Sequence, residues 1–170
     1  MSEQSSLFSV DDALLLHEPI DSFQGEYRFL SNFFPAKVVL NNRCFPTVEH
    51  AYVAAKCLFP EDVETILYID VGQPGKAKRL GRKLEQQHRT REDWHDIKVS
   101  IMRMLIEQKF TDTNALGKKL LETGERLLIE GNNHGDTFWG MCHGKGKNWL
   151  GVLLMERRTQ LQLALVSNKM

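Results

Sequence analysis

With 170 residues, 42% hydrophobic and 26% charged, the chain has the size and composition of one folded domain with a real core. Its 22 Lys and Arg balance 22 Asp and Glu, which argues against a global field for nucleic acid or anionic lipid and leaves local charge to hold a ligand. An odd set of cysteines (Cys44, Cys57, Cys142) without a Cys-x-x-Cys pair argues against a disulfide framework or a zinc site, and no stretch reads as a leader or a bilayer span, so the expected setting is a reducing cytoplasm with no membrane contact.

Residues 1–25 read as a polar N-terminal extension with one apolar patch, Ala13 to Leu16, and residues 26–170 as a single domain. Residues 37–40 and 43–45, joined by Asn41-Asn42, predict a hairpin, because Asn tolerates positive φ. Pro46-Thr47 then opens a helix, with Thr47 as N-cap and Val48, Ala51, Tyr52 and Ala55 at helical spacing. Pro60-Glu61-Asp62 opens another, running to about Ile69, with proline in the first turn and acids at the positive end of the dipole. A further helix starts at Pro74 and stops before Arg82.

After Thr90, the stripe Trp94, Ile97, Ile101, Met104, Leu105 and Gln108 predicts a strong helix to about Phe110, and a short one follows at 115–121. Residues 126–130 and 137–139 read as short strands, and a last helix runs from Asn148 to about Leu165. The sum is a helix-rich α+β domain with a small β-sheet.

Several groups carry possible chemistry. Glu49 and Lys56 lie seven residues apart, close to two helical turns, so both can share a face. Glu49 could activate water or stabilise a cationic sugar, and Lys56 could anchor a phosphate or act as an amine nucleophile. Spacing alone favours two solvated surface ions, since exposed charges are the norm. The stretch 135–151 interleaves Asp136, Trp139, Gly140, His143 and the run Gly144-Lys145-Gly146-Lys147-Asn148 ahead of the last helix. Glycine permits close backbone approach and helix-start N–H groups suit phosphate, so this run is the best phosphate candidate, although it lacks P-loop spacing. Arg82 is a second anion candidate within the basic run from Lys76 to Lys83, which also reads as a solvated face. Trp139 and Phe33 offer rings for a base, and Asn32 an amide for its polar edge. Trp94, on an apolar stripe, reads as core. Glu49-His50 is not a His-Glu-x-x-His pattern and the six histidines have no ligand spacing, so neither metal nor cofactor is expected.

At these residues the chain resembles the YbiA-like N-glycosidases, the NADAR family. The matching segments are Leu30-Ser31-Asn32-Phe33, Pro46-Thr47-Val48-Glu49-His50 with Lys56, Gly81-Arg82, Trp94 with Met102-Arg103, Lys109-Phe110, and the block from Trp139-Gly140 through Asn148 and Leu150-Gly151 to Leu154-Met155-Glu156. They span roughly 29–161; residues 1–25 lie outside the resemblance and the segment 61–74 is poorly matched. The resemblance implies hydrolysis of a C–N bond between ribose and a base or amine. The substrate expected from it is a phosphorylated ribosylamino-pyrimidine of early riboflavin synthesis. The alternatives are removal of ADP-ribose from guanine in nucleic acid, and a non-catalytic module that binds ADP-ribose. No extended nucleic-acid interface is expected at neutral net charge, and the assembly state stays open. In such a reaction Glu49 would stabilise the oxocarbenium-like centre or activate water. Asp136 would bind ribose hydroxyls or assist proton transfer, and Lys56 would neutralise phosphate or form a Schiff base. Trp139 and Phe33 would hold the base, while Lys145, Lys147 and Asn148 would grip phosphate.

Overall fold

Asn41 and Asn42 both adopt left-handed φ, +50° and +60°, and so close a two-residue hairpin turn. In the computed structural model, which describes residues 18–167, this turn joins β1 (Pro35–Leu40) to β2 (Arg43–Thr47). The strands pair antiparallel through Leu40↔Arg43, Val39↔Cys44 and Val38↔Phe45, with an irregularity between Pro35 and Val38. The hairpin is thus the expected one, extended at its open end. Val38, Leu40 and Phe45 face the core while Val39 faces out. Gln108 closes the free edge of β1: its amide nitrogen donates to the Val39 carbonyl and its amide oxygen accepts from the Val39 N–H.

β2 runs directly into α1 (Val48–Lys56), with the Thr47 hydroxyl accepting the His50 N–H as N-cap. Every residue of α1 is buried, including Glu49, His50 and Lys56. The helix packs against both strands and against α2 (Pro60–Leu67), α3 (Pro74–Gln86) and α4 (Trp94–Lys109). α5 (Ala115–Glu122), capped by the Asn114 side chain on Gly117 N–H, packs on α6 (Trp149–Ser167). One core joins these elements through Leu30, Phe45, Ile66, Met102, Phe110 and Leu154. Trp94 is part of it, its ring tilted against that of Tyr52 at 4.9 Å between centroids, as its place on the apolar stripe predicts.

Three expectations need correction. α2 ends at Leu67, two residues early, with Tyr68 as C-cap. α3 does not stop before Arg82 but continues to Gln86. Gly81 acts there as a packing site and not a breaker, since a Cβ on it would come within 2.8 Å of Lys56 Cε and 3.0 Å of Val53 Cγ1. The regular pairing in the second half falls between β3 (Gly131–Asn132) and β4 (Met141–Cys142), which are parallel, and not at 126–130 and 137–139. Leu128 forms a lone parallel bridge with Ile20. Residues 137–139 form no strand and the chain bends from Phe138, because Asp136 Oδ1 accepts the N–H groups of Phe138 and Trp139 and takes those donors away from any ladder.

The result is a helix-rich α+β fold with two small two-stranded sheets. Ile20 and Phe23 are buried in its core. The apolar patch Ala13 to Leu16 lies outside the described residues. No described helix is long and apolar enough to cross a membrane.

Candidate active site

A helix buried on all sides that still carries Glu49 and Lys56 needs a use for those groups, because burying charge is expensive. The use lies on one face. Glu49, Tyr52, Val53 and Lys56, at i, i+3, i+4 and i+7, line a cavity of about 730 Å³. A cavity of that size takes a nucleotide-sized molecule. The facing wall is α3, which presents Gly75, Lys78, Arg79, Arg82 and Glu85 with the same helical period. Asn32 and Phe33 enter from the segment before β1, and Glu130, Asn132, His134, Asp136 and Trp139 from the segment around β3.

Local hydrogen bonds fix these groups. The Glu49 N–H donates to the Asn32 carbonyl at 3.1 Å, which ties the Leu30-to-Phe33 motif to the start of α1. The Asn32 side chain reaches Met102 Sδ at 3.5 Å. Asn132 holds the Asp136 turn from both sides: Oδ1 accepts the Asp136 N–H and Nδ2 donates to the Asp136 carbonyl. Trp139 stands edge-on to Tyr52 at 5.4 Å and to Phe138 at 5.0 Å. Lys56 Nζ donates to Glu85 Oε1 at 2.7 Å, with the lysine end buried and the glutamate half exposed. Lys78 Nζ sits 5.8 Å from the Phe33 ring centroid.

Charge in the cavity is balanced and mostly unpaired. Among the described residues no salt bridge joins Glu49, Glu130, Asp136, Lys78, Arg79 or Arg82 to another group. Burial pushes the Glu49 carboxyl up to about 7; Lys78, Lys56 and Arg82 oppose that rise and Asp136 adds to it. Burial also pushes Glu130 up to about 7, opposed by Lys78 and Lys109 and reinforced by Asp136 and Glu49. Behind this wall, burial pulls the Lys109 amine down to about 7, where its Nζ donates to the Ser31 carbonyl at 2.7 Å. His50 is buried away from the cavity with Nδ1 at 2.7 Å from Thr47 Oγ1, and burial lowers its pKa.

The residues singled out in the sequence therefore divide in two. Glu49, Lys56, Asp136, Asn32, Phe33, Arg82 and Trp139 meet at the cavity. Gly140, His143, Gly144, Lys145, Gly146, Lys147 and Asn148 do not line it. Asn148 is buried, donating to the Leu128 carbonyl and accepting the Glu130 N–H, so it serves as a clasp. Gly140 lies where a Cβ would meet the Glu130 carbonyl at 2.2 Å. The exposed turn from His143 to Lys147 connects β4 to α6, with Lys147 Nζ over the Phe138 ring. The basic wall comes instead from α3, where Lys78 and Arg79 join Arg82. Their spacing from Gly75 was visible, but a helical lysine and arginine run ordinarily marks a solvated face. Glu130, at the end of an apolar run, carried no motif. Among the described residues no group of three or more His, Cys, Asp or Glu side chains is arranged to hold a metal ion.

Comparison with known proteins agrees with the motif resemblance. A family model for the NADAR domain matches residues 20–162. An Escherichia coli protein, N-glycosidase YbiA, is 36% identical over 143 residues, covering 84% of this chain and 86% of that protein. A riboflavin biosynthesis protein of Vibrio vulnificus is 35% identical over 151 residues, covering 87% of this chain, but this chain spans 40% of that longer protein. The fold matches an NMR structure of the E. coli protein YbiA with a TM-score of 0.76 and 33% identity, covering 89% of this chain and 90% of that one. On these matches and on the motifs gathered at the cavity, the chain belongs to the NADAR domain family.

Proposed function

We propose that this chain hydrolyses the N-glycosidic bond between ribose and a base or amine, and that its substrate is a phosphorylated ribosylamino-pyrimidine. One observation carries the reading: the buried Glu49 carboxyl faces the cationic side of α3 across a single cavity large enough for a ribosyl phosphate. Relatives named as N-glycosidases and as a riboflavin biosynthesis protein support the reaction class and the substrate.

Cleavage of an N-glycoside develops positive charge at the anomeric carbon. Glu49, ionised, stabilises that charge and takes the proton of the attacking water. Lys78, Lys56 and Arg82 help it to ionise in spite of burial. Asp136 keeps one oxygen in its own turn and offers the other to the ribose hydroxyls. Trp139 and Phe33 hold the base, with Asn32 at its edge. Phosphate is gripped by Lys78, Arg79 and Arg82 beside the first turn of α3, an assignment that replaces the glycine–lysine turn. Lys56, ion-paired to Glu85, adds positive charge or supplies an amine. Borohydride trapping during turnover separates these: an adduct on Lys56 marks a Schiff base, and an unmodified mass leaves it an electrostatic part.

The test is a panel of ribosylated amines and nucleotides incubated with the purified protein, with ribose phosphate and free base measured. Release from a ribosylamino-pyrimidine phosphate is the expected result. Release from ADP-ribosylated guanine alone moves the substrate to the second reading, for which three cations on α3 leave room for a diphosphate. Binding of ADP-ribose without any product overturns catalysis.

A further inference from the structure

We propose that Glu130 is the general acid of this site, donating a proton to the nitrogen that leaves the ribose; this rests on the N-glycosidase reading. Glu130 belongs to the cavity wall. Its backbone is held on both sides, with the N–H donating to Asn148 Oδ1 at 3.0 Å and the carbonyl accepting the Met141 N–H at 2.9 Å. Its side chain is held by nothing: among the described residues the carboxyl makes no hydrogen bond or salt bridge, and Oε2 is sealed from solvent. A buried ionised oxygen without a partner is costly, whereas a protonated carboxyl carries little of that cost. The fold fixes the backbone of this residue and gains no hydrogen bond from its carboxyl, as expected of a group reserved for chemistry.

The surrounding charges divide the labour. Glu49 has three cations around it, Lys78, Lys56 and Arg82, against two acids, Asp136 and Glu130 itself, since the coupling between the two glutamates is mutual. Glu130 has two acids, Asp136 and Glu49, against Lys78 and Lys109. Both carboxyls are pushed up to about 7, so the pair can share one proton. In this proposal it sits on Glu130, whose Oε2 has no hydrogen-bond partner, and the negative charge sits on Glu49, which faces Lys56 and α3. The step then balances. As the bond between the anomeric carbon and nitrogen breaks, its electron pair goes to nitrogen, which takes the Glu130 proton. Water adds to the anomeric carbon and gives a proton to Glu49. One water is consumed, the base and ribose phosphate leave, and a proton passes from Glu49 back to Glu130 to restore the enzyme.

An acid and a base of this kind give a bell-shaped profile of kcat/KM against pH. Glu49 must be ionised and sets the acidic limb. Glu130 must be protonated and sets the alkaline limb, with Glu49 of α1, Lys78 of α3, Lys109 of α4 and Asp136 acting on it. His134 on the same loop also reaches the cavity, and its contribution would survive a change at Glu130.

The experiment uses the full chain with a ribosylamino-pyrimidine 5′-phosphate, and compares wild type with Glu130→Gln and Glu130→Asp across pH, with thermal melting as the folding control. Glu130→Gln should lose about a hundredfold in kcat and lose the alkaline limb. Glu130→Asp should keep an alkaline limb with a shifted midpoint and recover part of the rate; if the Gln variant does not fold, this shift carries the test. An active wild type whose Gln variant stays within about threefold, or slows with its alkaline limb intact, overturns the proposal for Glu130 and leaves the N-glycosidase reading standing. An unmoved limb in Glu130→Asp does the same. A wild type that releases no product from any member of the panel overturns both.

Discussion

The turn from His143 to Lys147 and the face of α3 that carries Lys78, Arg79 and Arg82 are both basic and both follow or contain glycine, yet they end in opposite situations. The turn is exposed and outside the cavity, and the helix face lines it. Residue types favour the turn, with its glycines, lysines and adjoining helix start. Packing favours the helix, because Gly81 lets α3 lie directly on Lys56 and Val53 of α1 and so turns a basic face toward Glu49 instead of toward water. An anion site needs positive charge beside the space a ligand can enter, and that space is set by how α1 and α3 pack.

The strongest way to break this contrast is Glu49→Gln. The variant should lose about a hundredfold or more in kcat, and a near-normal rate would remove the α1 face from the chemistry. The same variant has a stability signature. Burial raises the native pKa of Glu49 to about 7 from an ordinary 4.5, so the stability its protonation lends is complete below the unfolded value and is lost as pH rises through 7. Glu49→Gln should therefore melt higher than wild type at pH 8 and equally at pH 4. A melting-temperature difference that is constant with pH would deny that the carboxyl is desolvated.

Lys78→Ala comes next. Losing one charge-assisted contact should raise KM for a phosphorylated substrate about tenfold while changing a dephosphorylated analogue little. Equal changes for both would take phosphate off α3. Asn148→Ala sharpens the other side of the contrast: it should cost about 1–3 kcal/mol of stability in denaturant unfolding, because the Leu128 carbonyl and the Glu130 N–H lose their buried partner. A fully stable variant with raised KM would return Asn148 to the ligand. The smallest effect belongs to Lys145→Ala, expected to stay within about twofold in KM for the phosphorylated substrate, as for an exposed substitution away from the site. A tenfold rise would restore the turn as the phosphate site.

Local signals in the chain were sufficient for much of this. The Asn41-Asn42 hairpin, the Thr47 cap, the stripe from Trp94 and the helix openings at Pro60 and Pro74 depend on dihedral preference, capping and periodicity, which act between near neighbours. The motif resemblance likewise reached the family, and Glu49, Lys56 and Asp136, singled out in the sequence, line the cavity. Other features had no local signature. Arg82 looked like the residue after a helix because glycine usually ends one, and Gly81 continues here for lack of room beside Lys56. Residues 126–130 looked like a strand by composition, but which of their backbone groups pair depends on Ile20 and Asn148 from elsewhere in the chain.

Residue order alone was thus enough to say which elements form and which chemical groups are present, because those follow from interactions within a few positions. Which groups share a cavity, which lysines line it and which carboxyl is left without a partner came from the packing of segments more than twenty residues apart. Burial and electrostatic coupling exist once those segments are in contact, and they give Glu49 and Glu130 a character that neither residue has on its own.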